Sequence, residues 1–365
     1  MTSFVTLLAA HATGTLAFGG LLIGIVFGWT VYRTNFCVMG ALSDVYNFGD
    51  ARRLKAWLLA IIVALVATQA LRVFGVVPLE RAIYVTAQFN WLGHALGGAI
   101  FGFGMVLTGG CPTRNVVRFG SGDLRAMVVL LVVAITGLVT LGGLLGPVRD
   151  VMEQLTTIDL RRFGLTSQSA GAVLSLTGLA DPARLDLLLA LALGIIGALY
   201  LYRDRAFTSS RAHVASGLVV GLLVASGWAL TGLAYDEFAP QTLTPVSLTF
   251  IKPLGDTLDW LQRFTAIPWP GFGTASVAGT LLGAFAAART SGRFRVLGFA
   301  DIGDMKTNLT GAAMLGVGGA MALGCTVGQG ITGLSTLALG SLLTTVALVG
   351  GGVYGLRYLE RSLDA

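Results

Sequence analysis

Cysteine occurs three times in the 365 residues, as Cys37, Cys111 and Cys325, and each copy stands in a glycine-rich break beside an apolar run. Cys37 lies in Asn35-Phe36-Cys37-Val38-Met39-Gly40, Cys111 closes Thr108-Gly109-Gly110-Cys111, and Cys325 closes Ala322-Leu323-Gly324-Cys325. Glycine frees the backbone to leave a helix. At membrane depth such backbone survives only where it is buried in protein or lines a cavity. Soft sulfur at three breaks suits a conduit for a small polar solute, one that itself contains sulfur. A neutral thiol is a weak S–H donor, able to hand an anion along without a covalent bond.

The breaks also carry helix-start signals. Two glycines followed by Pro112 end one helix and permit another, because proline is favoured in a first turn. A helix starting near Pro112 aims free N–H groups and its positive dipole end at the break, an anion site. Thr326 and Gly328 allow the same after Gly324-Cys325. Arg114 follows within one turn and either completes an anion site or anchors the topology. The candidate substrate-binding residues are therefore Cys37, Cys111, Cys325, Gly109, Gly110, Gly324, Thr326 and Arg114. Buried cysteine is often a plain packing residue, and G-x-x-x-G spacing, as in Gly98 and Gly102, often serves helix packing. The recurrence of the cysteines at equivalent places is what raises the functional reading.

Other chemistry finds no support. There is no C-x-x-C pair for a zinc site or disulfide framework, and the histidines show no helical spacing to a cysteine. No Ser-His-Asp arrangement, phosphate loop or carboxylate pair occurs at the apolar runs. The expectation is a protein that is not an enzyme and holds no cofactor or metal.

The elements that must position these residues are membrane helices. Charged residues make up 12% of the chain, hydrophobic ones 55%, and the mean hydropathy is +0.79, which excludes an ordinary soluble domain. The net charge of +6 is no nucleic-acid signature, since Lys and Arg sit mostly in loops between apolar runs. About nine runs are long enough, or nearly so, to cross a bilayer: near 15–32, 55–75, 91–108, 125–146, 184–202, 214–231, 273–289, 310–323 and 337–357. Those at 91–108 and 310–323 are short and glycine-rich, so each is expected to stop part-way as a re-entrant element. Sixteen of the 24 Lys and Arg residues fall on one side of this arrangement. The positive-inside rule then puts the amino terminus outside and the carboxy terminus in the cytoplasm.

Sliding the chain by 214 positions superposes Cys111 on Cys325 and matches Gly97, Ala99, Gly102, Gly104 and Gly110 as well. The expected architecture is a single all-α polytopic domain, 1–365, with inverted repeats over 15–146 and 214–357 and a connector helix at 184–202. Inverted repeats commonly place a solute site near the midplane at broken helices. Cys37 finds no partner in the second half, whose nearest equivalent stretch is read as Gly227-Trp228-Ala229-Leu230-Thr231-Gly232. The long loops near 147–183 and 232–272 fall outside, either as a lid over a vestibule or as plain surface loops.

Phe36-Cys37-Val38-Met39-Gly40-Ala41 with Asp44, then Gly102-Phe103-Gly104-Met105 through Gly109-Gly110-Cys111 to Arg114-Asn115, resemble the first two motifs of the YeeE/YedE family of bacterial inner-membrane proteins. Asn308, Gly311, Gly316, Gly318 and Gly324-Cys325-Thr326-Val327-Gly328-Gln329-Gly330 resemble its third, and the resemblance spans nearly the whole chain. It implies thiosulfate uptake through inverted halves with short helices dipping into the lipid bilayer. It further implies that Cys325, Cys111 and Cys37 pass the ion inward in that order, and that a small TusA-like sulfur carrier serves as cytoplasmic partner. Some members are tied to selenium, so a selenium-compound permease is one alternative; a sulfur-transfer or redox protein with reactive cysteines is another. Gly319 stands where the first repeat has Met105, a departure from the family's Gly-Met pattern.

Overall fold

The computed structural model describes residues 12–363 apart from 177, 179–180, 236–243 and 268. It is helical almost throughout. In chain order the helices are α1 (Ala12–Thr34), α2 (Val38–Phe48), α3 (Arg52–Val73), α4 (Trp91–Leu107), α5 (Pro112–Gly120), α6 (Leu124–Leu141), α7 (Gly146–Thr156) and α8 (Ala170–Ser175). They continue as α9 (Pro182–Tyr202), α10 (Arg205–Thr208), α11 (Arg211–Leu233), α12 (Ile251–Gln262), α13 (Phe272–Thr290), α14 (Ile302–Met321) and α15 (Leu339–Leu363). A π-helical turn, Gly328–Gly333, and a 3₁₀ turn, Leu334–Thr336, stand between α14 and α15. Two short antiparallel strands, β1 (Gln88–Asn90) and β2 (Thr157–Asp159), pair Phe89 with Ile158.

Among the described residues, seven helical segments are long and apolar enough to cross a membrane: α1 continued by α2, α3, α4 continued by α5, α6, α9, α11 and α15. The protein is therefore an all-α polytopic membrane protein. The expected runs at 273–289 and 310–323 form α13 and α14 but do not join this set. Helix α13 is rich in Gly, Ala, Ser and Thr and is largely buried, so tight contact rather than lipid exposure sets its composition. Helix α14 starts with Asp304 and Lys306 in its first turns, which belong to an aqueous edge.

Small residues bring the backbones together. Helix α1 packs along α13, α3 along α11, α4 along both α14 and α15, and α6 along α14. The α4–α14 crossing is reciprocal: a Cβ on Gly97 would lie 2.7 Å from the Gly318 oxygen, and one on Gly318 would lie 2.7 Å from the Gly97 oxygen. Gly104 and Gly311 repeat the relationship at 2.8 Å each way.

Polar contacts sort the loops onto two faces. Arg33 donates to Ser291 at 2.7 Å, Tyr46 to Glu360 at 2.8 Å, Lys55 pairs with Asp204, and Arg125 lies 3.7 Å from Asp304. The sixteen basic residues of the charge argument thus share one face, called here the basic face. On the opposite face β1 meets β2, Ser169 bridges Ala338, and the Gly340 amide donates to Gln168. The two long loops lie on that face: the first carries α7, β2 and α8, and the second carries α12, with 236–243 and 268 outside the described residues.

Candidate functional site

Helix α4 stops at Leu107 because the next residues redirect its backbone. The Thr108 hydroxyl donates to the Gly104 oxygen at 3.1 Å and the Gly110 oxygen at 2.8 Å, while Gly109 adopts φ +64°, where glycine carries no Cβ penalty. Helix α5 then begins at Pro112, with Cys111 in extended backbone at its N-cap. Asn115 Nδ2 reaches back to the Gly110 oxygen at 3.0 Å and the Cys111 oxygen at 3.2 Å, closing the break on itself.

The second break is built alike. Helix α14 ends at Met321, Leu323 takes φ +57°, and the chain re-enters helical geometry at Gly328 as a π turn. Here the amide is Gln329, 214 positions beyond Asn115, whose Nε2 donates to the Ala322 oxygen at 2.5 Å. Its Oε1 accepts from Ser341 at 2.6 Å, tying the turn to α15. Single-turn π geometry recurs at functional sites.

The thiols cap these short helices. Cys325 Sγ accepts the Gly328 N–H at 3.3 Å, and Cys37 Sγ accepts the Gly40 N–H at 3.4 Å at the head of α2. Cys111 has the same spacing to the Arg114 amide but no hydrogen bond of good geometry to it. Cys111 and Cys325 are buried and Cys37 is part-buried. The Cys111 thiol lies within electrostatic range of both Cys37 and Cys325 and beside Thr326. Cys111 thus has as neighbours one thiol 74 positions before it and another 214 positions after it in the chain.

Two hydroxyls at this place have no hydrogen-bond partner: Thr326 Oγ1, fully buried, and Thr113 Oγ1 in the first turn of α5. Orphaned buried donors are costly, and the nearest polar side chain recorded for Thr326 is the Cys111 thiol. Gly110 lies directly under the Arg114 stem, and Gly109 is exposed and shapes the turn. Arg114 Nη2 donates to Asn35 Oδ1 at 2.7 Å, linking the end of α1 to the start of α5. The carboxylates of the adjoining segments are paired elsewhere, Asp44 with Arg53 and Asp123 with Arg118. Gly324 lines a cavity of about 200 Å³ that opens towards the opposite face.

Thr113 is not among the residues singled out in the sequence, and Asn115 and Gln329 enter only as residues of the family motifs, although both are amides at the 214-residue offset. Cys37 stands at the N-cap of α2, and Phe250 stands at that of α12 without a side-chain cap.

A family model described as sulphur transport matches residues 33–354. The thiosulfate transporter TsuA of Escherichia coli (strain K12) is 26% identical over 331 residues, covering 87% of each chain. The thiosulfate transporter TsuA of Spirochaeta thermophila is 25% identical over 325 residues, 85% of this chain and 89% of that one. The probable transporter YedE of Salmonella typhimurium is 33% identical over 107 residues, 29% of this chain and 24% of its own. With a match running through all three cysteine breaks, this chain belongs to the sulphur transport (YeeE/YedE) family.

Proposed function

We propose that this protein imports thiosulfate, or a closely related sulfur-containing anion, across the bacterial inner membrane. The path runs from the opposite face past Gly324 and Cys325 to Cys111, then to Cys37 and Arg114 at the basic face. The observation that carries this reading is the meeting of three thiols and two unpartnered buried hydroxyls at a pair of helix breaks. Every group offered there is a donor or a soft sulfur. Because the Cys325 and Cys37 sulfurs already accept backbone N–H groups, their S–H bonds are left to point at a ligand. Thiosulfate, with one terminal sulfur and three oxygens, matches both kinds of group. Nothing in that set is a general base or an activated nucleophile, which favours passage over catalysis.

The reading includes the fold's symmetry and orientation. Two inverted repeats, 15–146 and 214–357, joined by α9, are supported by the reciprocal glycine crossing and by matched helix pairs: α1 with α13 against α11 with α3, and α4 with α15 against α14 with α6. Counting α13 and α14 with its π turn as crossings gives nine spans, the amino terminus outside and the basic face in the cytoplasm. A TusA-like carrier receiving the ion at that face would keep its free concentration low. That matters because moving a dianion inward against ~100 mV costs roughly 4.6 kcal/mol. Drainage on the inner side, or a co-transported cation, offsets this.

The test is uptake of labelled thiosulfate into proteoliposomes by the native chain, Cys111→Ala and Cys325→Ala. Uptake by the native chain, and its loss in both variants, is the expected result. Three equal rates would remove the thiols from the path.

A further inference from the structure

The 200 Å³ cavity on the opposite face holds a residue to which neither sequence nor family comparison assigns a role. Tyr84 lies in a 3₁₀ turn, 4% exposed, with its hydroxyl unpartnered. Its ring stands edge-on to Trp228 at 6.2 Å between centroids, and Trp228 Nε1 is itself held by Ser335 Oγ at 3.1 Å. The ring is thus fixed, and its hydroxyl lies beside the Thr249 hydroxyl, the one polar side chain recorded within reach of it among the described residues. Tyr84 is also within electrostatic range of the Cys325 thiol and beside Thr249. A Cβ on Gly328, the residue whose amide Cys325 accepts, would overlap Thr249 Oγ1.

The remaining lining is mostly apolar (Ile83, Val246 and Leu323 among others), with the exposed Thr244 and, at 2.7 Å from each other, Lys252 and Asp256 as further polar side chains. Ser247 also lines the cavity, but its hydroxyl is spent on the Val224 oxygen at 2.6 Å. An oxyanion entering here meets two hydroxyl donors on one side and hydrocarbon on the other. That arrangement suits an anion with a polar oxygen end and a soft sulfur end. It penalises one with oxygens all round, whose lost hydration it cannot replace.

We propose that the Tyr84 and Thr249 hydroxyls form the outer recognition site, gripping an oxygen of the sulfur oxyanion before its sulfur end meets Cys325. This rests on the transport reading above.

The experiment measures concentration-dependent thiosulfate uptake in proteoliposomes for the native chain, Tyr84→Phe and Thr249→Val, with sulfate as competitor. Phenylalanine keeps the ring against Trp228, so only the hydroxyl is removed. Loss of a hydrogen bond to a charged group predicts a rise in KM of about tenfold or more, with the maximal rate within about twofold and no gain in sulfate inhibition. Native uptake with an unchanged KM in Tyr84→Phe overturns this site and leaves the cysteine path standing. No uptake by the native chain overturns both. If Tyr84→Phe yields no monodisperse protein, Thr249→Val decides on the same criterion.

Discussion

Cys325 Sγ accepts the Gly328 N–H at 3.3 Å, so one thiol both caps the π turn and borders the proposed path. Serine at this position keeps an acceptor for the cap and a donor for the ion. Cys325→Ser is therefore expected to retain measurable thiosulfate uptake, while Cys325→Ala loses it. Alanine also removes the cap, which costs about 0.5–1 kcal/mol of stability, the low end for capping because sulfur is a weak acceptor. Uptake in proteoliposomes and melting in detergent separate the two effects. Equal loss of uptake in both variants would mean that sulfur itself, not a donor, is required.

Glycine at the α4–α15 contact is set by space. A Cβ on Gly102 would overlap the Leu348 carbonyl oxygen, whereas one on Gly350, on the outer side of α15, meets nothing within 4 Å. Gly102→Ala is expected to cost about 1–3 kcal/mol or more through forced helix separation. Gly350→Ala is expected to be neutral or slightly stabilising, since alanine is the better helix former. Melting temperatures in one detergent compare them directly, and a Gly102→Ala protein as stable as the native chain would contradict the packing described.

How far these features were legible in the sequence depends on whether they are local. The break at Gly109-Gly110-Cys111-Pro112 declares itself, because two glycines and a proline act through nearest neighbours. The helix starting at Pro112 and the all-α membrane architecture follow from local signals of the same kind. Tyr84 carries no such signal. It is a single aromatic in a loop, and only the folded chain sets it against Trp228, 144 positions on. The helix at 273–289 was legible from its apolar run, while its Gly, Ala, Ser and Thr content reflects burial among helices, which needs smallness more than hydrophobicity.

The same limit applies to the clasp on α9. Asp186 is fully buried and accepts from Arg72 Nη1 at 2.6 Å and from the Gly171 amide at 2.6 Å, while Arg72 also meets Glu80 at 2.8 Å. One carboxylate thus joins α9 to α3 and to the start of α8. Asp186→Ala leaves Arg72 buried with only the exposed Glu80, and is expected to destabilise by about 3–5 kcal/mol. Replacing both partners, as Arg72→Met with Asp186→Leu, is expected to recover part of that loss. The double-mutant cycle by thermal melting checks the coupling, and additive single effects would show that the pair does not act as a unit.

Asp123 links α5 to α6 at the basic face and gives a pH signature. Burial alone would raise its carboxyl, but hydrogen bonds from Arg125 and from Arg118, at 2.8–3.2 Å, outweigh burial and hold it below the ordinary carboxylate range. A group whose folded pKa lies below its unfolded value of about 3.9 contributes stability above that unfolded value. The contribution disappears as pH falls through the lower, folded value. Native protein is therefore expected to keep its melting temperature from neutral pH down to about 5 and to lose it more steeply than Asp123→Asn between about pH 4 and pH 2. The variant should already be less stable at neutral pH, because Arg118 and Arg125 lose a charged partner. Parallel melting curves for the two proteins across that acid window would show that the Asp123 cluster does not fasten the end of α5.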